Sequence, residues 1–249
     1  MMLSTNVFSN LRVLLVDDEP FVRRVTTAVL NNIHISAVLE AGNGDEAISL
    51  LEQNKVDLLI TDIQMPEMNG IELIKQIRMG KTAAERGLRT LVVTSFSNTE
   101  VLGSCISLDI NGFLVKPISQ KTASDKAQRA LSESTHLRPA TEYAQVISDL
   151  GSLASTAKKE RKQKAINVAI LRDDQNMRTS GNSKARGVLV ALQKLEPGMT
   201  LADDIYTDTG QKLLSEGQLL KEGLINRLIE LEDILNSTMI PIKMDTWLD

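Results

Sequence analysis

Four short segments bring oxygen-rich or cationic side chains to points where apolar runs stop. The run LRVLLV ends in Asp17, Asp18 and Glu19, and DLLIT ends in Asp62 ahead of a turn with Pro66, Asn69 and Gly70. TLVV ends in Thr94 and Ser95, and GFLV ends in Lys116 just before Pro117. Carboxylates with one ammonium and one hydroxyl make a poor apolar core and a good site for a hard cation. Mg2+ prefers such oxygen ligands, keeps several waters and commonly uses one or two carboxylates plus phosphate oxygens. It would neutralise acids that otherwise repel each other and hold protons. A carboxylate can also act as a nucleophile toward phosphorus, giving an aspartyl phosphate. Lys116 and Thr94 would then hold the phosphoryl oxygens that the metal leaves free. Taken alone, Asp62 could be a helix-capping acid and Asp17 or Asp18 structural; the four segments together carry the chemical reading.

These residues need elements that carry them to one place. The apolar runs at 11–18, 37–42, 57–62, 90–95 and 112–117 read as strands. Between and after them, 20–33, 44–54, 69–79, 98–109 and 118–133 read as helices, with Pro20 at a first turn and Val25 and Val29 on one stripe. Near-continuous apolar strands alternating with helices specify a parallel sheet covered on both faces. Right-handed crossovers make it doubly wound. Ligands in such sheets bind at the carboxyl ends of the strands, which is where Asp17, Asp18, Asp62, Thr94 and Lys116 fall. Gly42, Gly44, Gly70 and Gly112 are turn glycines rather than a phosphate-cradling loop. His34 and His136 lie far apart without a ligand cluster, and Cys105 on the fourth helix reads as a small buried residue.

With the acidic pair, the acceptor in TDIQMPEMNG, the hydroxyl in VVTS and the lysine in FLVKP in their order, residues 10–133 resemble the receiver domain of two-component response regulators. The resemblance implies a flavodoxin-like five-stranded sheet of order 2-1-3-4-5. It implies that Asp62 accepts a phosphoryl group from a sensor histidine kinase or phosphotransfer protein. Asp18 and Asp62, with the backbone carbonyl of Gln64, would hold Mg2+, and Asp17 would act directly or through water. Lys116 would pair with the phosphate, Thr94 would swing toward it, and Phe113 fills the aromatic switch position. Phenylalanine lacks the hydroxyl of the commoner tyrosine, which leaves an apolar inward move. Gln64 and Phe96 fall at two tuning positions, and a bulky Phe96 is expected to limit water access and slow loss of the phosphoryl group.

Composition bounds the rest. The 249 residues suit one large domain or two smaller ones, with a core that must be aliphatic because aromatics are 3%. No apolar run reaches the ~18 residues of a membrane span. A single cysteine excludes an internal disulfide and fits a reducing cytoplasm. Net charge is −3 over 1–133, +5 over 134–186 and −6 over 187–249. That pattern suggests two acidic modules joined by a basic connector. Tyr143, Val146, Leu150, Leu153 and Ala157 have the spacing of a coiled-coil seam, so a helical connector pairing with its copy in a dimer is the expectation, against simple packing on the receiver. KKERKQK continues it as a charged face, and TSGNSKARG reads as a hinge.

Residues 187–249 have a different grammar, that of a small α+β module. VLVALQKL reads as a strand, EPGM as a turn, LADDIYT and KLLSEG as the arms of a hairpin about DTG, KEGLINRLIELEDIL as a helix and TMIPIKM as an edge strand. The stretch LEPGMTLADDIYTDTGQKLLSEGQLL and the helix after it resemble the small domain preceding the catalytic region in HD-GYP cyclic-di-GMP phosphodiesterases. No His-Asp pair and no Gly-Tyr-Pro occurs, and the chain ends about where that region would begin. The expectation is therefore a regulator rather than an enzyme, with protein–protein output to an unidentified partner. A DNA-binding transcriptional regulator is the first alternative, disfavoured by the −6 terminal module without helix-turn-helix spacing. A metal-dependent phosphatase on a similar sheet is the second.

Overall fold

The computed structural model describes residues 8, 10–35, 37–95, 99–133, 137–151, 187–208 and 212–243. Packing divides the chain into two units, Met1–Asn98 with Ser104–Ser148 and Thr99–Gly103 with Asp149–Asp249.

In the first unit, five strands form one parallel sheet: β1 (Arg12–Val16), β2 (Ala37–Ala41), β3 (Leu58–Asp62), β4 (Arg89–Thr94) and β5 (Gly112–Val115). Their order is β2-β1-β3-β4-β5, the doubly wound order expected. The helices are α1 (Pro20–Asn32), α2 (Gly44–Gln53), α3 (Gly70–Arg78) and α5 (Gln120–Ser132), with α4 (Thr99–Ser107) counted in this unit from Ser104 onward. The central strands are apolar over most of their length because both faces are covered. Val13, Leu14, Val16, Leu58, Leu59, Leu91 and Val92 are wholly buried. Each such side chain contributes about 1.5–3 kcal/mol relative to an exposed one. Leu15, Ile60, Val93 and Leu114 pack with Leu30 of α1 and with Ala123, Ala127 and Ala130 of α5 in one core. Those alanines explain how α5, thin in large apolar residues, still seats closely on the sheet.

Helix α1 departs from expectation in its facing. Val25 is exposed, whereas Val29 packs against the core beside the buried Thr26 and Leu30, so of the two expected positions only Val25 faces outward.

Local chemistry fixes the turns that matter. Asn43 caps α2 by accepting from the Glu46 amide, and Glu46 reaches back to the Gly42 amide at 2.7 Å. Asn69 caps α3 by accepting from the Glu72 amide at 3.0 Å, and Ser119 caps α5. At Gly70 a Cβ would overlap the carbonyl oxygen of Asp62, so only glycine lets α3 start this close to the tip of β3.

Residues 137–148, placed in the connector by sequence, pack within the first unit and include a short helix α6 (Ala140–Ala144). It stops at Gln145, so Tyr143, Val146 and Leu150 do not lie along one helix, and Tyr143 is wholly buried. The expected seam positions Leu153 and Ala157, and the charged run and hinge after them, lie outside the described residues.

The second unit contains an antiparallel pair, β6 (Val188–Ala191) with β9 (Met239–Ile242), and a hairpin of β7 (Ile205–Tyr206) with β8 (Lys212–Leu214). A helix spans Glu222–Glu230 and buries Ile225 and Leu228, with Leu231 and Leu235 buried just beyond it. Pro241 lies opposite Leu189 in a two-stranded pair, where each strand is an edge and its missing donor is tolerated.

Candidate functional site

The carboxyl ends of β1, β3, β4 and β5 converge because parallel strands all point the same way. Strand β1 pairs with β3 through Val16 and Thr61, β3 with β4 through Asp62 and Val93, and β4 with β5 through Thr94 and Val115. One residue beyond each register lie the polar side chains that the spacing singled out.

Asp17 follows β1 and is 2% exposed. One of its carboxylate oxygens accepts from the Glu19 amide at 2.9 Å, and the other accepts from Lys116 Nζ at 3.0 Å. The Arg23 guanidinium donates to its backbone carbonyl at 2.6 Å, which ties the strand tip to α1. Asp62 is half-buried; Oδ2 accepts from Lys116 Nζ at 2.5 Å and Oδ1 from the Ile63 amide at 2.6 Å. The Gln64 amide points at the same Oδ1 from 3.4 Å. Lys116 therefore bridges two carboxylates, and its backbone amide donates to the Thr94 carbonyl at 2.9 Å, which fixes β5 beside β4. Burial works against the ammonium, but the hydrogen bonds and charges of Asp62 and Asp17 outweigh it and raise the Lys116 pKa.

Asp17, Asp18 and Asp62 each offer a carboxylate oxygen, and these oxygens lie within 4.8 Å of one another. Asp18 is exposed, so the cluster opens to solvent. Lys116 bonds two of the three carboxylates, Asp17 and Asp62. Clustered hard oxygen donors and an open side at Asp18 fit a divalent cation with retained waters. Thr94 is buried at the end of β4, Phe113 is buried on β5, and Gln64 is exposed in the turn after Asp62. Phe96 lies outside the described residues. The structure thus brings together Asp17, Asp18, Asp62 and Lys116, with Thr94 joined to Lys116 through the backbone.

The profile of the response regulator receiver domain matches residues 13–128. A chemotaxis protein CheY homolog of Campylobacter jejuni is 35% identical over 122 residues, 49% of this chain and 92% of that protein. The chain belongs to the response regulator receiver family. CheY-3 of Vibrio cholerae is 30% identical over 120 residues, 48% of this chain and 91% of that protein. The crystal structure of CheY4 from Vibrio cholerae is 29% identical, covering 49% of this chain and 98% of that one with a TM-score of 0.44. The relatives thus correspond to the receiver part, about half of the chain. Among the described residues no helix is long and apolar enough to cross a membrane.

Sequence reasoning missed the second use of Asn69. Besides capping α3, its Nδ2 donates to the Ser148 carbonyl at 2.9 Å. The cap was legible from an Asn followed by Gly and an acid; its partner 79 residues on was not.

Proposed function

We propose that this response regulator is controlled by phosphorylation of Asp62. The single observation that carries this reading is the Asp17–Lys116–Asp62 bridge at the open edge of the receiver sheet, with Asp18 beside it. In it, a carboxylate oxygen of Asp62 attacks the phosphorus of a phosphohistidine on a sensor kinase or phosphotransfer protein. A P–O bond forms, the P–N bond breaks, and the imidazole nitrogen leaves with the electron pair. Asp17, Asp18, Asp62 and the Gln64 backbone carbonyl would hold Mg2+, which supplies charge neutralisation to the incoming phosphoryl oxygens.

Lys116 already lies against Asp62, so its ammonium is placed to pair with a phosphoryl oxygen once the carboxylate is esterified. Thr94 and Phe113 act as the switch: the hydroxyl turns toward the phosphoryl group, and the ring, with no hydroxyl of its own, holds the buried inward position on β5. Gln64 and Phe96 tune the lifetime of the acyl phosphate, the bulky Phe96 by limiting water access; Phe96→Ala is expected to shorten it.

The parts are a receiver over 10–133, a basic connector over 134–186 and an interaction module over 187–249 that transmits the state to a protein partner. Its likeness to the domain preceding HD-GYP phosphodiesterase regions supports a role in cyclic-di-GMP-related signalling, by docking rather than catalysis. Cytoplasmic location completes the reading.

Incubation with a radiolabelled small phosphodonor and Mg2+ tests it. The expected result is saturation near one phosphoryl per chain, with no labelling of Asp62→Asn. Continuous release of product without saturation would favour a phosphatase instead.

A further inference from the structure

Residues 138–148 are fastened to the receiver at both ends. At the first end, Tyr143 is wholly buried and its hydroxyl donates to Asp109 at 2.7 Å while accepting from the Arg138 amide at 2.9 Å. Arg138 Nε binds the same Asp109 oxygen at 3.0 Å, and Arg86 donates to the Arg138 carbonyl at 2.7 Å. The guanidinium carbons of Arg138 and Arg86 lie 5.1 and 5.8 Å from the Tyr143 ring centroid. Charge-assisted bonds and cation–π contacts of this kind make a strong anchor.

The second end is held differently, through main-chain carbonyls. Lys75 Nζ donates to the Val146 carbonyl at 2.8 Å, Ser104 Oγ to the Ile147 carbonyl at 2.9 Å, and Asn69 Nδ2 to the Ser148 carbonyl at 2.9 Å. The Ser148 hydroxyl also donates to the Glu72 carboxylate.

Asn69 connects this end to the acceptor. It precedes Gly70, whose Cα side is pressed against the Asp62 carbonyl with no room for a Cβ. The Gly70 amide donates to the Ile63 carbonyl at 3.0 Å, and the Ile63 amide donates to Asp62 Oδ1. Phosphorylation replaces the single negative charge of the Asp62 carboxylate with the roughly −1.5 to −2 of a phosphoryl group at neutral pH, about one further negative charge. Esterifying Asp62 would disturb its bonds to Lys116, Ile63 and Gln64. The bonds from Asp62 Oδ1 through Ile63 to Gly70 form a short path to Asn69, and Gly70 packs directly against the Asp62 carbonyl. There, one side chain both caps α3 and holds Ser148.

We propose that residues 138–148 form a strap whose second end is released when Asp62 is phosphorylated, with Asn69 as the coupling residue and the Tyr143 anchor left in place. This rests on the phosphoacceptor reading above. Releasing Ser148 would change where the connector leaves the receiver, so the state of one carboxylate would reach the rest of the chain.

Amide hydrogen exchange of the full chain, with and without Mg2+ and beryllofluoride, tests the proposal, while fluorine NMR reports whether beryllofluoride has bound. The expected result is exchange at residues 146–148 at least about tenfold faster with beryllofluoride, and little change at 138–143. Asn69→Asp keeps the acceptor that caps α3 and loses the donor to Ser148. Its 146–148 segment should exchange fast in both states. Bound beryllofluoride with unchanged exchange at 146–148, or Asn69→Asp exchanging as slowly as the parent, would overturn the strap and leave the phosphoacceptor reading standing. Absence of any bound fluoride signal would overturn that reading first and the strap with it.

Discussion

Two charged clusters in the first unit invite comparison. Around Arg78 a guanidinium is wholly buried, yet each of its nitrogens finds an oxygen. Nε donates to the Leu108 carbonyl, Nη1 to those of Arg86 and Leu88, and Nη2 to the Asp109 carbonyl and, more weakly, to Thr90. Burial lowers its pKa to about 10, so it stays charged at neutral pH. At the strand tips, by contrast, Asp17 and Asp62 share the Lys116 ammonium, and Asp18 beside them is exposed to solvent. The first cluster is complete and holds α3, β4 and the turn after α4 together. The second gathers three carboxylates and opens to solvent at Asp18. A satisfied buried ion is architecture, whereas an open carboxylate cluster invites a ligand.

The sharpest way to break this contrast is to remove Arg78. Arg78→Leu leaves several buried carbonyls without donors, and with charged hydrogen bonds worth about 1.5–3 kcal/mol each, a loss of roughly 3 kcal/mol in folding free energy is expected. Chemical denaturation measures it, and a loss below about 1 kcal/mol would remove the distinction drawn here. Gly70→Ala should follow at about 1–3 kcal/mol, since its methyl group must displace the Asp62 carbonyl. That substitution should also slow phosphorylation, because it moves the acceptor itself.

Asp18→Asn should behave in the opposite sense. Folding without metal should stay within ~0.5 kcal/mol of the parent or rise slightly, while Mg2+ affinity measured by calorimetry falls about tenfold or more. Unchanged affinity would place the cation elsewhere.

The smallest effect concerns alkaline pH. Lys116 has its pKa raised above 10.5 and Tyr143, mainly through burial, above 10.0. Each group binds its proton more tightly folded than unfolded. Their contributions are therefore full below those values and fade as pH rises through the folded ones. The melting temperature should fall beyond pH 10, with a shallower decline in Tyr143→Phe.

Much of this was legible in sequence because it depends on local pattern. Apolar runs such as VLLV and LLIT located the central strands, and acids, a hydroxyl and a lysine at their ends located the site. Strand β2, half-exposed at an edge, was equally readable because Ala37–Ala41 is bounded by turn residues. What escaped depends on partners far along the chain. Tyr143 fits a heptad seam as well as a buried anchor, and only Asp109, 34 residues earlier, decides between them. Arg78 reads as an ordinary basic residue at a helix end, since its partners are main-chain carbonyls that no sequence displays. Val25 misled because Thr26, with its hydroxyl, took the inward place on α1.

The central claim is that one carboxylate among three takes the phosphoryl group. Borohydride converts an aspartyl phosphate to homoserine, so reduction followed by peptide mass spectrometry reports the residue directly. Homoserine at position 62 alone, formed only with Mg2+ supplied, is the expected result. Homoserine at 17 or 18, or none anywhere after saturating phosphodonor, would contradict it.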